Sequence, residues 1–485
     1  MSKVLILGMA PLPFEKERKV YGTGIRTWQF AKSLLEDKHE VCIVAYKIPS
    51  TYENNNKVKV TYPIDLNKYK QEFEKYSFYL IPLEKKEFED ELILNNIHDK
   101  FIPDCIIGAT FYPSFIATKI KSNAPFWADL FGHVMAEAQA RATSIDDDEV
   151  LFHYLNQEMR IVNNADIFSC VSKRQESATI GELGILGRLN RYTSKYNFTR
   201  LIPCAAPEDD FSHTKKVLRG IDVEEDDFVI LYSGGYNTWV DVDTLFNALT
   251  MVMNENPKIK FVSTGGEIKG IDEKTYSHFL KKIENSPFKD RFIMKGWIPT
   301  QDVKNYYFEA NLGINVDKKI YEVFLGSKNR ILEWMRAGLL VLSSKVCELS
   351  YLLEEEGLGF TYKAEDAKSL NDKIVEIISN PNLAKKVTEK AKKYVIENLT
   401  YYKTTEPLRE WARNPKTSPD RGMERVLDRS REEAFQNLER IVKSQQEMIK
   451  VRGERIAELE ELFHKKLIYR IYNYLKFIKK RIFLI

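Results

Sequence analysis

The stretch GSKNRILEWMRAGLLVLSS, Gly326–Ser344, decides the reading of this chain. Its second half contains a short apolar run, Leu339 to Ser343, with the unbroken hydrophobicity of a strand buried on both faces. Its first half starts a helix crowded with donors and cations: Ser327, Lys328, Asn329 and Arg330, with Glu333 one turn on. The helix macrodipole disfavours positive charge at this end. A bound anion resolves the conflict, because the first N–H groups of a helix are unpaired and point outward. The alternative is a solvated helix start whose cations pair with neighbouring carboxylates.

On either side of this stretch, apolar runs alternate with amphipathic segments. One series comprises residues 4–9, 40–46, 78–82, 104–110, 126–130, 167–171 and 200–205. After the polar gap EDDFSHTKKVLRGIDVEEDD a second series follows at 228–235, 259–266, 291–296, 312–316 and 340–344. Continuous apolar strands alternating with helices predict parallel sheets covered on both faces. Two such series predict an α/β chain of two doubly wound, Rossmann-like domains, 1–205 and 226–411. The Pro- and Gly-containing RNPKTSPDRG then reads as part of a linker, 412–424, and a charged helical tail follows at 425–485.

Composition bounds the rest. The 485 residues, 44% hydrophobic and 29% charged, exceed what one core serves, and the net charge of +3 implies no field for nucleic acid. MSKVLILGMAPLP reads as a first strand and not as a secretion signal, and no run approaches the ~20 apolar residues of a membrane span. Cys42, Cys105, Cys170, Cys204 and Cys347 are scattered without a C-x-x-C pair, which suggests buried thiols in a reducing, cytoplasmic setting. No metal-binding spacing is present, so neither a metal nor a cofactor is expected.

Two further segments carry chemistry. YSGGYNTWVDVDTLFNAL runs from a strand into Gly234-Gly235, then Asn237 and Thr238, where a ligand can approach the backbone. It is not a G-x-G-x-x-G, and an ordinary tight turn is the other reading. FWADLFGHVMAEAQAR places Asp129, Gly132, His133 and Glu137 at a strand end, as a catalytic or acceptor-side cluster or as a helix cap with a hydrogen-bonded histidine.

In this order the motifs resemble a GT-B glycosyltransferase of the large retaining class, which contains many bacterial envelope-polysaccharide enzymes. The resemblance covers roughly residues 1–410. KGWIPTQDVKNYYFEANLGINV (295–316) is similar to the segment in which Trp297 and Ile298 would meet the base of a nucleotide-sugar. The opening stretch implies phosphate contacts for Ser327 and Lys328 and a ribose contact for Glu333. YGTGIRTWQFAKSLLEDKHEVCIVAY (21–46) matches the first loop, helix and second strand, with Gly22, Thr23 and Gly24 facing the sugar phosphates. The pattern departs from the family in two places. Glu322, the candidate for the family's earlier, catalytic-side glutamate, has ten residues between it and Glu333 instead of seven. The Arg and Lys after the first strand of the second domain are replaced by Asn237 and Thr238, so Lys328, Asn329 and Arg330 would supply donor contacts. The resemblance implies sugar transfer to a glycan or lipid-linked acceptor for surface polysaccharide such as lipopolysaccharide. A sugar-nucleotide epimerase and a non-catalytic scaffold are the alternatives.

In the tail, Leu438, Val442, Ile449, Ile456, Leu459 and Phe463 follow a 4-3 spacing interrupted by Gln445 and Arg452. Residues 425–463 are thus a short coiled-coil seam for a homo-oligomer or an extended solvated helix. The last segment, 464–485, has seven Lys and Arg and no acid. Leu467, Ile471, Tyr474, Leu475, Ile478, Ile482 and Ile485 line one face, opposite Lys465, Lys466, Lys476, Lys479 and Lys480. This pattern predicts an interfacial helix on anionic lipid at the inner face of the cell membrane, or a helix docked on protein.

Overall fold

The structure, a computed structural model, describes residues 1–15, 18–52, 63–209 and 211–482. It divides into two compact units, Met1–Arg421 and Gly422–Ile485.

The first unit holds two sheets. Strands β1 (Lys3–Ala10), β2 (Glu40–Lys47), β3 (Lys70–Phe73), β4 (Tyr76–Leu83), β5 (Cys105–Gly108), β6 (Phe126–Asp129), β7 (Ile167–Cys170) and β8 (Thr199–Leu201) form the first, in the order β3-β4-β2-β1-β5-β6-β7-β8. All pair in parallel except β3, which lies antiparallel on β4. The second sheet is parallel throughout, in the order β11-β10-β9-β12-β13-β14. Its strands are β9 (Phe228–Ser233), β10 (Ile259–Thr264), β11 (Phe292–Gly296), β12 (Leu312–Asn315), β13 (Leu340–Ser344) and β14 (Phe360–Tyr362). The central strands are the apolar runs, because helices cover both faces and leave no solvated side to alternate with. The exposed KQEF of β3 and the three residues of β14 lie at sheet edges and lack that signal.

Two boundaries differ from the expected ones. The second domain does not keep its own C-terminus. Ala206 bridges Thr400, and Tyr401, Leu408 and Ala412 join the core of the first domain. Asp37 fastens this return, paired with Arg409 at 3.2 Å and Arg413 at 2.6 Å. Residues 414–421 are likewise no loose linker. Arg188, 1% exposed, grips both oxygens of the fully buried Asp420 at 2.8 Å. The Ser418 amide and the Arg421 guanidinium both donate to Asp166. The sequence shows the prolines of this segment but not the buried arginine that waits for it.

The second unit contains a single helix, Val426–Ile482, of 57 residues. The expected seam and basic segment are therefore parts of one continuous helix. Residues 483–485, with Ile485 of the expected apolar face, lie outside the described residues. Among the described residues no helix is long and apolar enough to cross a membrane.

Removing one partner of a buried, hydrogen-bonded ion pair strands the other, at about 3–5 kcal/mol. Asp420→Ala is therefore expected to lower the unfolding free energy of the body by that amount in urea titrations. A solvated linker would give a change within about 0.5 kcal/mol.

Candidate functional site

The C-terminal ends of the two sheets face each other. Segments that follow strands of one sheet touch segments that follow strands of the other. Ser172, after β7, donates to the Leu325 carbonyl at 2.6 Å, and Arg174 donates to Val346 O at 2.7 Å. The Lys19 ammonium lies 3.3 Å from the centre of the Trp297 indole.

On the second domain the floor is built from glycine turns at three adjacent strand ends. Gly234 (φ +111°), Gly265 (φ +154°) and Gly296 (φ +65°) take backbone conformations closed to most side chains. A Cβ on Gly265 would sit 1.9 Å from Gly234 O, so the two turns pack backbone on backbone. Above Gly234 lies Arg330. Its guanidinium stacks on Tyr232 at 4.5 Å, and a Cβ on Gly234 would come within 3.2 Å of its Nη2. Trp297 forms the rim, its indole N–H donating to Glu267 O, and Ile298 packs against the domain core.

Two helix starts meet above this floor. Gly22–Glu36 begins with Gly22, Thr23 and Gly24, and Asn329–Ala337 begins beyond Lys328. Neither has a side-chain cap or an acidic residue in its first turn. A Cβ on Gly22 would lie 3.2 Å from Asn329 Nδ2, so the starts are nearly in contact. Gly24 packs on the Pro11 carbonyl, where a Cβ would fall at 2.2 Å. Two uncapped N-termini, each carrying about half a positive charge, concentrate partial positive charge and free donors at one point.

The two cations of the opening stretch behave differently. Lys328, 7% exposed, points at carboxylates, with Nζ 3.4 Å from Glu322 and 4.0 Å from Asp317. Burial would lower its pKa, but Asp317 and Glu322 outweigh that and hold it above the ordinary lysine range. Its charge is largely neutralised within the protein. Arg330 has no carboxylate in ion-pair range among the described residues, so it carries the uncompensated charge. Ser327 lies beside Cys204, whose thiol it pulls down against the rise caused by burial. Asn237 and Thr238 spend their polar groups on their own turn: the Asn237 carboxamide accepts the Thr238 amide at 2.9 Å, and Lys318 caps the Thr238 carbonyl at 2.7 Å. They do not replace the missing cations by reaching out.

Burial pushes the Glu322 carboxyl up to about 7, with Lys328 pulling it down and Asp317 and Glu137 raising it. Glu333 is also pushed up to about 7 by burial, against the pull of Arg336. Glu137 reaches the same cluster from the first domain. Surrounding protein raises its carboxyl, against the pull of Arg141 and Lys328.

Asp129 and His133 sit differently from expectation. Asp129 is fully buried, and both its oxygens are taken: Arg26 at 3.0 and 2.7 Å, Ser169 at 2.6 Å and the Thr110 amide at 3.3 Å. It cannot touch a substrate in this arrangement. It is a positioning residue, holding the strand end beneath Thr110 (φ +80°) and Phe131 (φ +41°). Gly132 (φ +109°) completes that bend, its carbonyl held by Gln175 at 2.6 Å. His133 N-caps the helix Val134–Ile145 through Nδ1 and pairs with Glu182 through Nε2 at 3.0 Å, so both ring nitrogens are engaged. Residues missed from sequence are Arg26, Asp317, Tyr232 and the Gly265-Gly266 pair. The last was visible, since YSGG at 232–235 and STGG at 263–266 repeat one strand-end pattern. Among the described residues no cluster of His, Cys, Asp or Glu is arranged to hold a metal ion.

These positions make separate predictions for the two cations. Arg330→Ala is expected to weaken nucleoside diphosphate binding by about 1.5–3 kcal/mol in calorimetry, the range for a hydrogen bond to a charged group, with little change in stability. Lys328→Ala is expected to lower the melting temperature of the free protein, because it leaves Asp317 and Glu322 facing each other uncompensated.

Residues 215–394 match the family model described as Glycosyl transferases group 1. No match was found among curated proteins. Among solved structures, the chain resembles sucrose-phosphate synthase from Thermosynechococcus elongatus, at 16% identity, TM-score 0.63, 85% of this chain and 98% of that one. It also resembles Anabaena HepE in complex with UDP and glucose, at 13% identity, TM-score 0.59, 84% of this chain and 99% of that one. The E. coli trehalose-6-phosphate structure bound with UDP-2-fluoro glucose aligns at 10% identity, TM-score 0.60, over 86% of this chain and all of that one. At such identities the likeness establishes the fold, and the family model speaks for the second domain. Residues 215–394 are a group 1 glycosyltransferase domain, and the protein is a glycosyltransferase of the GT-B fold.

Proposed function

We propose that the protein transfers a sugar from a nucleoside diphosphate donor to a glycan or lipid-linked acceptor in surface polysaccharide synthesis, working at the inner face of the membrane. The observation that carries the donor half is the meeting of two uncapped helix starts beside Arg330, which among the described residues has no carboxylate in ion-pair range, a site that fits two linked phosphates. The UDP and UDP-sugar in the HepE and E. coli structures are consistent with it.

Breaking the donor bond puts charge on the phosphate while the sugar becomes oxocarbenium-like. Donors aimed at that phosphate bind more tightly in the transition state than in the ground state. Arg330 and the N–H groups of Gly22, Thr23, Asn329 and Arg330 serve this role, and protein cations replace a metal. The acceptor oxygen forms its bond to the anomeric carbon as the phosphate oxygen leaves, and the leaving phosphate takes the acceptor proton. Reaction on one face retains configuration without a dedicated base. Glu333 accepts from ribose hydroxyls. Glu322 and Glu137 hold sugar and acceptor hydroxyls.

The acceptor half rests on the tail. The described part of 464–485 joins an apolar face to seven Lys and Arg with no acid. Each basic residue adds about 1 kcal/mol at an anionic surface.

Transfer from a panel of radiolabelled nucleotide-sugars to lipid extracts, with EDTA present, tests the reading. Product is expected with one or a few donors, undiminished by chelation. Donor breakdown that is equally fast without acceptor would sink it. Removing 464–485 is expected to release the protein from anionic vesicles, while raised salt only weakens binding of the intact chain.

Donor affinity is expected to depend on pH through Glu333. Ribose hydroxyls donate to the ionised carboxylate, so binding lowers its pKa from about 7 in the free protein. Affinity is then full above pH 7 and falls towards tenfold per unit below it. Glu333→Gln should flatten this profile in calorimetry across pH 5.5–8.

A further inference from the structure

We infer that the tail helix pairs with the tail of a second copy of this chain. Val426–Ile482 is about 85 Å long at 1.5 Å per residue, and its described side chains stand almost entirely in solvent. Leu438, Val442, Ile449, Ile456, Leu459 and Phe463 are each 50–69% exposed and keep one 4-3 stripe over most of seven turns. Scattered exposed apolar residues are ordinary, but an apolar stripe that keeps its phase across two polar interruptions on an exposed helix is a surface awaiting a partner.

Charge separates the two ends of this helix. Residues 433–463 carry five Lys and Arg against seven Glu, a mixed and slightly acidic balance that an anionic membrane does not attract. The seven Lys and Arg of the acid-free end all come after Phe463. The stripe therefore calls for protein, while the end of the helix suits lipid. Within the stripe, β-branched Val442, Ile449 and Ile456 occupy one seam position, and Leu438 and Leu459 occupy the other. That distribution favours two parallel strands. Arg455 and Glu460 flank the stripe five residues apart, the offset at which opposite charges meet across a parallel pair. Gln445 and Arg452 are the polar seam residues, and polar groups at such positions set register at a cost in stability.

Parallel pairing brings two basic ends to the same end of the stalk. If those ends bind lipid as proposed above, the second engagement becomes intramolecular and the pair binds by avidity. The pairing does not depend on that reading and can be tested without any membrane.

Light scattering on the full chain at micromolar concentration should give twice the single-chain mass of 56.6 kDa. Ile449→Glu with Ile456→Glu should give the single mass with an unchanged melting temperature of the body. A monomer at tens of micromolar in the unaltered protein overturns the proposal, as does a double variant that stays dimeric. The five native cysteines are all buried, so a cysteine placed in the stripe reports on orientation. Gln445→Cys should cross-link to its own copy under mild oxidation. A dimer that forms without this cross-link overturns the parallel, in-register arrangement. The cleft and its chemistry are untouched by these variants, so failure here is distinguishable from failure of the transferase reading.

Discussion

Arg26 and Asp129 hold the site together from beneath. Neither has solvent exposure, and all five guanidinium donors are used: two on Asp129, one on Gln29, and one each on the carbonyls of Ile202 and Pro203. The pair joins the first helix, the end of β6 and the exit from β8. It also fixes the direction of the Gly22–Gly24 helix start and the level of the Phe131–His133 bend. Uncapped N–H groups can wait for a ligand only if something else keeps the helix from fraying, and this buried pair supplies that support. The strained dihedrals at Thr110 and Phe131, which cost of order 1–3 kcal/mol each, persist because the same carboxylate over-determines their surroundings.

The second domain divides positive charge between two roles. Lys328 is spent inside the protein, holding Asp317 and Glu322 together. Arg330 stacks on Tyr232 and, among the described residues, has no carboxylate in ion-pair range. The chemistry of the side chains suits this division, because a lysine is a compact point charge that serves two carboxylates from one spot. An arginine presents a planar fork that can stack on Tyr232 while offering its edge to phosphate. Two carboxyls with pKa values near 7 beside such a cleft are also the kind of group that responds to a ligand rather than to bulk solvent.

Much of this was legible in the residues. Every central strand was, because a strand buried on both faces has no option but continuous apolarity. β3 and β14 were not: β3 is an exposed, polar KQEF strand and β14 has only three residues, too few to show a pattern. The helix start at Asn329 was legible because its charges contradict the dipole. The place of Asp129 was not, and neither was the docking of 414–421. In both cases the deciding partner lies far along the chain, Arg26 for one and Arg188 for the other, and a charged residue in a sequence does not announce whom it will meet. The turn at Asn237 and Thr238 was not legible for a related reason: the Asn237 carboxamide oxygen accepts the Thr238 amide of its own turn, a local contact that residue types alone do not announce.

The clamp on Asp420 has a mechanical consequence. The chain leaves the body from the first domain, at a point riveted beneath β7, after the second domain has already handed its last helices back. A pull on the tail therefore enters through the first domain and bypasses the second. The glycine floor and Arg330 belong to the half that bears no load. One half of the body takes the load, and it reaches the other half through the chain crossings near residues 202–228 and 399–401 and through contacts across the cleft such as those of Ser172, Arg174 and Lys19.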